Sequence, residues 1–169
     1  MATTITFKGD PVELSGTPPQ VGDQAPAFEL VNTKMETVHL SDFDGKIRVI
    51  SVIPSIDTGV CEAQTRRFNE ALDEMPDNVV GLTISEDTPF AQARWCGAEG
   101  ITKMEMLSDF KGNTFGKSYG LYMPAMGLLA RSVYIIDGDG KVAYFQLVPE
   151  MSEEPDYDEV LDKVKEMAN

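Results

Sequence analysis

The sequence predicts an α/β fold, a mixed β-sheet with helices packed against it, and three observations carry that reading. Two runs, Ile47 to Ile53 and Val79 to Ile84, are rich in β-branched residues with few polar interruptions, the pattern of strands buried on both faces. Each is followed by a helical signal: Phe68, Ala71, Leu72 and Met75 recur at i, i+3, i+4 and i+7 after the first, and Pro89 opens a helix after the second. Later, Ser132–Ile136 and Val142–Leu147 flank Asp137-Gly138-Asp139-Gly140, a hairpin loop that adds antiparallel strands to the sheet.

Taken in order, Thr4-Ile5-Thr6-Phe7 and Val12-Glu13-Leu14 alternate around Gly9-Asp10-Pro11 and predict an N-terminal β-hairpin over 3–15. The turn-rich stretch from Thr17 to Pro26 leads into a strand at Phe28-Glu29-Leu30, and Val38 with Leu40 marks a second short one. Pro54 ends the Ile47–Ile53 strand, and the first long helix begins near Val60. The Pro89 helix carries Phe90, Ala93 and Cys96 until Gly97 stops it. Met104–Leu107 reads as a short strand, with a helix near Lys111–Tyr119. Tyr157, Val160, Leu161, Val164 and Ala168 form the final helix. Strand, helix, strand, helix, hairpin and closing helix is a thioredoxin-like order, here preceded by the hairpin. There is no internal repeat or long linker, and 169 residues suit a single domain over 1–169.

A chain of this length buries roughly two-thirds of its unfolded surface, so it needs neither a disulfide nor a metal to hold its fold. Its two cysteines, 35 positions apart, are therefore free to be chemical. The formal charge of −14 repels phosphate backbones and anionic lipid, which argues against nucleic-acid and membrane partners. Eight acids and two lysines of that balance lie between Glu150 and Asn169. No run approaches the roughly 20 apolar residues of a membrane span, and Met1–Asp10 lacks the pattern of a signal peptide. The reading is a cytoplasmic protein. Two cysteines and the single His39 supply too few ligands for zinc.

The segment Pro54-Ser55-Ile56-Asp57-Thr58-Gly59-Val60-Cys61 places Cys61 in the first turn of a helix. There, unpaired backbone N–H groups and the helix dipole stabilise a thiolate, the reactive form of cysteine. Thr58 has a hydroxyl placed either to cap the helix or to bond the sulfur or an approaching substrate oxygen. Pro54 shields the site from water. Arg131, at the opening of a strand, is either a surface charge or a fixed set of donors for a negative centre.

The Pro-x-x-x-Thr-x-x-Cys spacing resembles the active-site signature of the peroxiredoxins. With Ala91-Gln92-Ala93-Arg94-Trp95-Cys96-Gly97-Ala98-Glu99-Gly100, Gly127-Leu128-Leu129-Ala130-Arg131 and Glu154-Pro155-Asp156-Tyr157, the chain is similar over nearly its whole length to the thiol peroxidase, or atypical 2-Cys, subfamily. That resemblance implies a thioredoxin-like fold and an enzyme without cofactor or metal. It implies Cys61 as the peroxidatic and Cys96 as the resolving cysteine, with Thr58, Arg131 and Pro54 completing the site. It also implies hydroperoxide substrates, a Cys61–Cys96 redox disulfide, thioredoxin as reductant and a homodimer. One departure is visible. The stretch Leu121–Met126 is short and apolar where the family usually has a longer loop, which touches the substrate rim and not the central chemistry. Because both cysteines fall on helices and a disulfide needs Cα atoms within about 7 Å, resolution requires local unwinding. Two rivals remain at this level. A disulfide reductase of the thioredoxin type lacks its Cys-x-x-Cys pair, and a redox sensor would react once without turning over.

Overall fold

The computed structural model describes residues 3–168. The N-terminal hairpin joins β1 (Thr4–Phe7) to β2 (Asp10–Glu13) with Ile5 opposite Val12. After it come β3 (Glu29–Asn32), β4 (Thr37–His39), a 3-10 turn at Leu40–Phe43 and β5 (Ile47–Val52). Next are α1 (Gly59–Asp73), β6 (Val79–Ser85), α2 (Pro89–Glu99), β7 (Met104–Ser108) and α3 (Thr114–Ser118). The short pair β8 (Tyr122–Met123) and β9 (Leu128–Leu129) precedes β10 (Ser132–Ile136), β11 (Val142–Leu147) and α4 (Tyr157–Ala168). Seven strands form the central sheet in the order β11-β10-β5-β6-β7-β3-β4. The three middle strands run parallel, and β10, β11, β3 and β4 are joined antiparallel at the two sides. The mixed α/β, thioredoxin-like arrangement read from the sequence is the one found.

Side-chain alternation along the strands distributes the core. On one face Ile47 and Val49 of β5 pack with Phe68 and Leu72 of α1 and Val160, Leu161 and Val164 of α4. On the other, Ile50 and Val52 join Phe115 and Tyr119 around α3, together with Ile5 and Leu14 from the hairpin region. The helix α1 lies so close over β6 that a Cβ at Gly81 would come within 2.3 Å of Leu72 Cδ1 and the Met104 sulfur, so a larger residue there would force both side chains to move.

Four local readings need correction. Gly97 does not stop α2, which continues to Glu99. Gly100 does so, at a left-handed φ of 67°, with its N–H donated to the Cys96 carbonyl at 2.9 Å. A glycine in a helix interior costs about 1 kcal/mol but does not break the hydrogen-bond ladder; the terminus falls where the positive φ is required. Phe90 points outward, 71% exposed, and the buried face of α2 is instead Pro89, Gln92 and Trp95. The helix near 111–119 shrinks to five residues because Gly112 and Asn113 both take positive φ. The apolar stretch after it turns inward: Leu121 and Met123 are wholly buried and belong to the core.

Candidate active site

The site forms where β5 hands over to α1. Pro54 follows the strand and is buried. The loop after it is held by Asp87, just beyond the end of β6. Ser55 Oγ donates to one Asp87 carboxylate oxygen at 2.8 Å, while the Ile56 N–H and Ser85 Oγ both donate to the other at 2.7 Å. Thr58 then caps α1 from extended backbone. Its hydroxyl accepts from the Cys61 N–H at 3.4 Å and donates to the Ser55 carbonyl at 3.2 Å. The threonine thus acts as an N-cap here, and rotating its hydroxyl toward an incoming oxygen breaks only the bond to Ser55.

Cys61 lies in the first turn, with no exposed surface. Its side chain belongs to an apolar cluster with Ile53, Ile56, Trp95 and Met106, against which Cys96 also packs. The tertiary fold therefore brings the two cysteines, distant in sequence, to one small cluster. Both are free thiols. Burial pushes the Cys96 thiol up to about 11, so it stays protonated at neutral pH while α2 is intact.

Arg131 is not a surface charge. It is 2% exposed and donates from Nε and Nη2 to the Met151 carbonyl at 3.1 and 3.0 Å, and from Nη1 to Gln64 Oε1 at 3.0 Å. Gln64 sits one turn beyond Cys61 on α1 and is itself held by donating to Ser51 Oγ at 2.8 Å. Among the described residues no carboxylate lies within 4 Å of this guanidinium. Its three bonds use three of five donor hydrogens. A buried cation held only by neutral dipoles, with donors to spare, favours negative charge nearby.

The N-terminal hairpin supports this arrangement from a distance. Thr6 N–H donates to the Pro149 carbonyl and Met151 N–H to the Thr6 carbonyl, each at 2.8 Å. The Glu150 carboxylate accepts from the Gly9 N–H at 2.9 Å. The strand β1 thus clamps the 149–151 segment that supplies the carbonyl to Arg131.

Sequence reasoning singled out Pro54, Thr58, Cys61, Cys96 and Arg131 but not Gln64 or Asp87, which have no motif of their own and matter only through contacts across the fold. It also missed a pair of buried carboxyls. Glu86 is pushed up to about 9, first by burial and then by the neighbouring Asp109 carboxyl. Asp109 accepts the N–H groups of Phe115 and Gly116 at 2.9 and 2.8 Å. Burial raises Asp109 as well, so the pair tends to hold a proton, and the two N–H groups already donated to Asp109 favour Glu86 as its carrier. Because the folded value lies above the ordinary 4.5, the contribution of this proton is fully present below pH 4.5 and is lost as pH rises through about 9. Glu86→Gln, a permanently neutral substitute, is expected to stabilise the protein by about 1–2 kcal/mol at pH 8, discounted for partial solvent access. The gain should vanish near pH 5. Thermal melts of both proteins across that range check it, and a pH-independent difference would remove the explanation.

A groove of about 490 Å³ lies elsewhere, between α1 and α4, lined by Arg67, Met75, Leu161 and Lys165 among others, and contains neither cysteine. Chemistry, not concavity, marks the site. No helix of the described residues is long and apolar enough to cross a membrane.

A thioredoxin-like sheet presenting a capped, first-turn cysteine, with a buried arginine bonded to the glutamine one turn on, defines the class: a thiol-based redox enzyme. Comparison with known proteins narrows it. The family model for Redoxin matches residues 20–161. A thiol peroxidase of Bacillus subtilis is 52% identical over 161 residues, 95% of this chain and 96% of that one. A thiol peroxidase of Listeria innocua is 50% identical over 163 residues, 96% and 98% of the two chains. Among solved structures, a peroxiredoxin-like protein of Aquifex aeolicus superposes with a TM-score of 0.92 at 42% identity, covering 98% of each chain. The chain belongs to the Redoxin family, among its peroxiredoxin-type thiol peroxidases.

Proposed function

We propose that Cys61 reduces hydrogen peroxide and organic hydroperoxides and that Cys96 resolves the product as an intramolecular disulfide. The observation that carries this reading is Cys61 in the capped first turn of α1, one turn from Arg131-bound Gln64 and in one cluster with Cys96. The Cys61 thiolate attacks the terminal peroxide oxygen. An S–O bond forms, the O–O bond breaks, and the alkoxide or hydroxide leaves as alcohol or water after taking a proton, giving a sulfenic acid. Arg131 and the amides of the α1 first turn hold the negative charge, Thr58 orients the peroxide, and Pro54 walls off water. The Cys96 sulfur then attacks the sulfenic sulfur, closing an S–S bond as water departs. Reduced thioredoxin supplies two electrons by thiol–disulfide exchange and restores both thiols.

The cycle uses no metal or cofactor. It runs in one domain spanning the chain, in the cytoplasm, within a homodimer. Because Cys61 is fully buried, a hydroperoxide reaches it only after a local opening of its cover, which the Ile53, Ile56, Trp95 and Met106 side chains form. The test is NADPH-coupled turnover with thioredoxin and thioredoxin reductase, together with intact-mass mapping after one equivalent of peroxide. Many equivalents consumed and a mapped Cys61–Cys96 bond are expected. A single stoichiometric burst with no cycling would instead identify a sensor.

A further inference from the structure

The helices that carry the two cysteines are bolted together by side chains immediately beside them. Trp95, the residue before Cys96, donates its indole N–H to Glu62 Oε1, on the residue after Cys61, at 2.7 Å. Arg66, one turn along α1, has its guanidinium carbon 5.7 Å from the Trp95 ring centroid and bonds Glu99 Oε1 at 2.8 Å, with Glu62 Oε1 at 3.9 Å. Arg94 adds a looser pair with Asp57 at 3.7 Å. Trp95 is only 8% exposed. Trp95 and Glu99 bracket Cys96 on the last turns of α2, so this part of the helix does not unwind unless they let go of α1.

We propose that the Glu62–Trp95–Arg66–Glu99 clasp sets the rate at which Cys96 reaches the oxidised Cys61. The inference rests on the disulfide chemistry proposed above and adds the residues that govern it. While the clasp is closed, α2 stays helical and the Cys96 thiol stays buried and protonated. Opening it frees Cys96 to attack: its sulfur bonds to the Cys61 sulfenic sulfur, the S–O bond breaks, and water leaves with the thiol proton. The strength of the clasp therefore fixes the lifetime of the sulfenic acid. It thereby fixes the chance that a second peroxide oxidises Cys61 to the sulfinic acid before resolution. These four residues are positioning residues; none of them touches the reacting oxygen.

The ion pairs of the clasp are partly exposed, so salt should weaken them. The experiment follows the sulfenic acid by rapid quench with dimedone and mass spectrometry after one equivalent of hydrogen peroxide. It compares wild type with Trp95→Phe, which keeps a ring but removes the N–H donor, and with Glu99→Gln and Glu99→Lys. Resolution should be about tenfold faster in Trp95→Phe, roughly the effect of one lost charge-assisted hydrogen bond. It should quicken in the order wild type, Glu99→Gln, Glu99→Lys, and the sulfinic fraction at excess peroxide should fall in parallel. Raising the salt should hasten resolution in wild type and do so less in Glu99→Gln, which lacks the shortest of these ion pairs, a difference that general destabilisation does not produce. Unchanged or longer sulfenic lifetimes in these variants, with a normal Cys61–Cys96 bond in wild type, would overturn the clasp alone. Absence of that bond in wild type would instead overturn the resolving role of Cys96.

Discussion

Cys61→Ser is expected to abolish peroxide turnover, by at least roughly a thousandfold, in the thioredoxin-coupled assay. A serine hydroxyl at that position keeps the same capped helix start and the same Gln64–Arg131 pair one turn on. It nevertheless ionises far above neutral pH, so these donors have no anion to stabilise. The fold should tolerate the change, since Cys61 packs among Ile53, Ile56, Trp95 and Met106 as a small apolar side chain. Cys96→Ser should separate the steps. The first equivalent of peroxide is consumed, a sulfenic acid accumulates, and thioredoxin-supported cycling stops. Residual turnover in Cys61→Ser comparable to wild type would move the chemistry to another residue and end the peroxidatic assignment.

Arg131→Met should be the most damaging change that leaves both sulfurs in place. Its methylenes nearly fill the space, but the Met151 carbonyl and Gln64 Oε1 lose three donated bonds in a buried setting. Two orphaned acceptors cost about 2–4 kcal/mol together, read as a lowered midpoint in urea. The reaction suffers separately. Without an unneutralised cation near the first turn of α1, the Cys61 thiolate and the developing oxygen charge lose their largest fixed stabiliser. The rate with hydrogen peroxide should fall by roughly 100- to 1000-fold. Arg131→Lys distinguishes the two effects. A single ammonium keeps the charge but cannot span Met151 and Gln64 in the fork geometry, so it should recover part of the rate and little of the stability. The second-order rate of sulfenic-acid formation at Cys61 is the deciding measurement: it should fall in Arg131→Met and less in Arg131→Lys. A wild-type rate in Arg131→Met would confine the residue to a structural part.

How much of this was legible from residues alone varies with the range of the interaction. Local signals worked for the strand hairpin Ser132–Ile136/Val142–Leu147 and for the amphipathic α1 and α4. Periodicity and turn chemistry depend on neighbours within a few positions. The same locality misplaced the end of α2, because a glycine at 97 and a glycine at 100 look alike until the backbone shows which adopts positive φ. It left Arg131 undecided, since burial of a charge is decided by elements far away in sequence.

The sequence by itself determined the α/β class, the order of elements, and which cysteine opens a helix. Each follows from hydrophobic period, capping residues and motif spacing within one stretch of chain. Only the tertiary structure decided that Cys96 shares an apolar cluster with Cys61 and that Gln64 and Met151 hold Arg131. It alone set Asp87 to anchor the Pro54–Thr58 loop and Trp95 to reach Glu62. These are contacts between segments 20 to 67 residues apart, created when the sheet stacks its strands in an order the chain does not follow. Their energies depend on desolvation and fixed geometry, quantities that exist only once the core has closed.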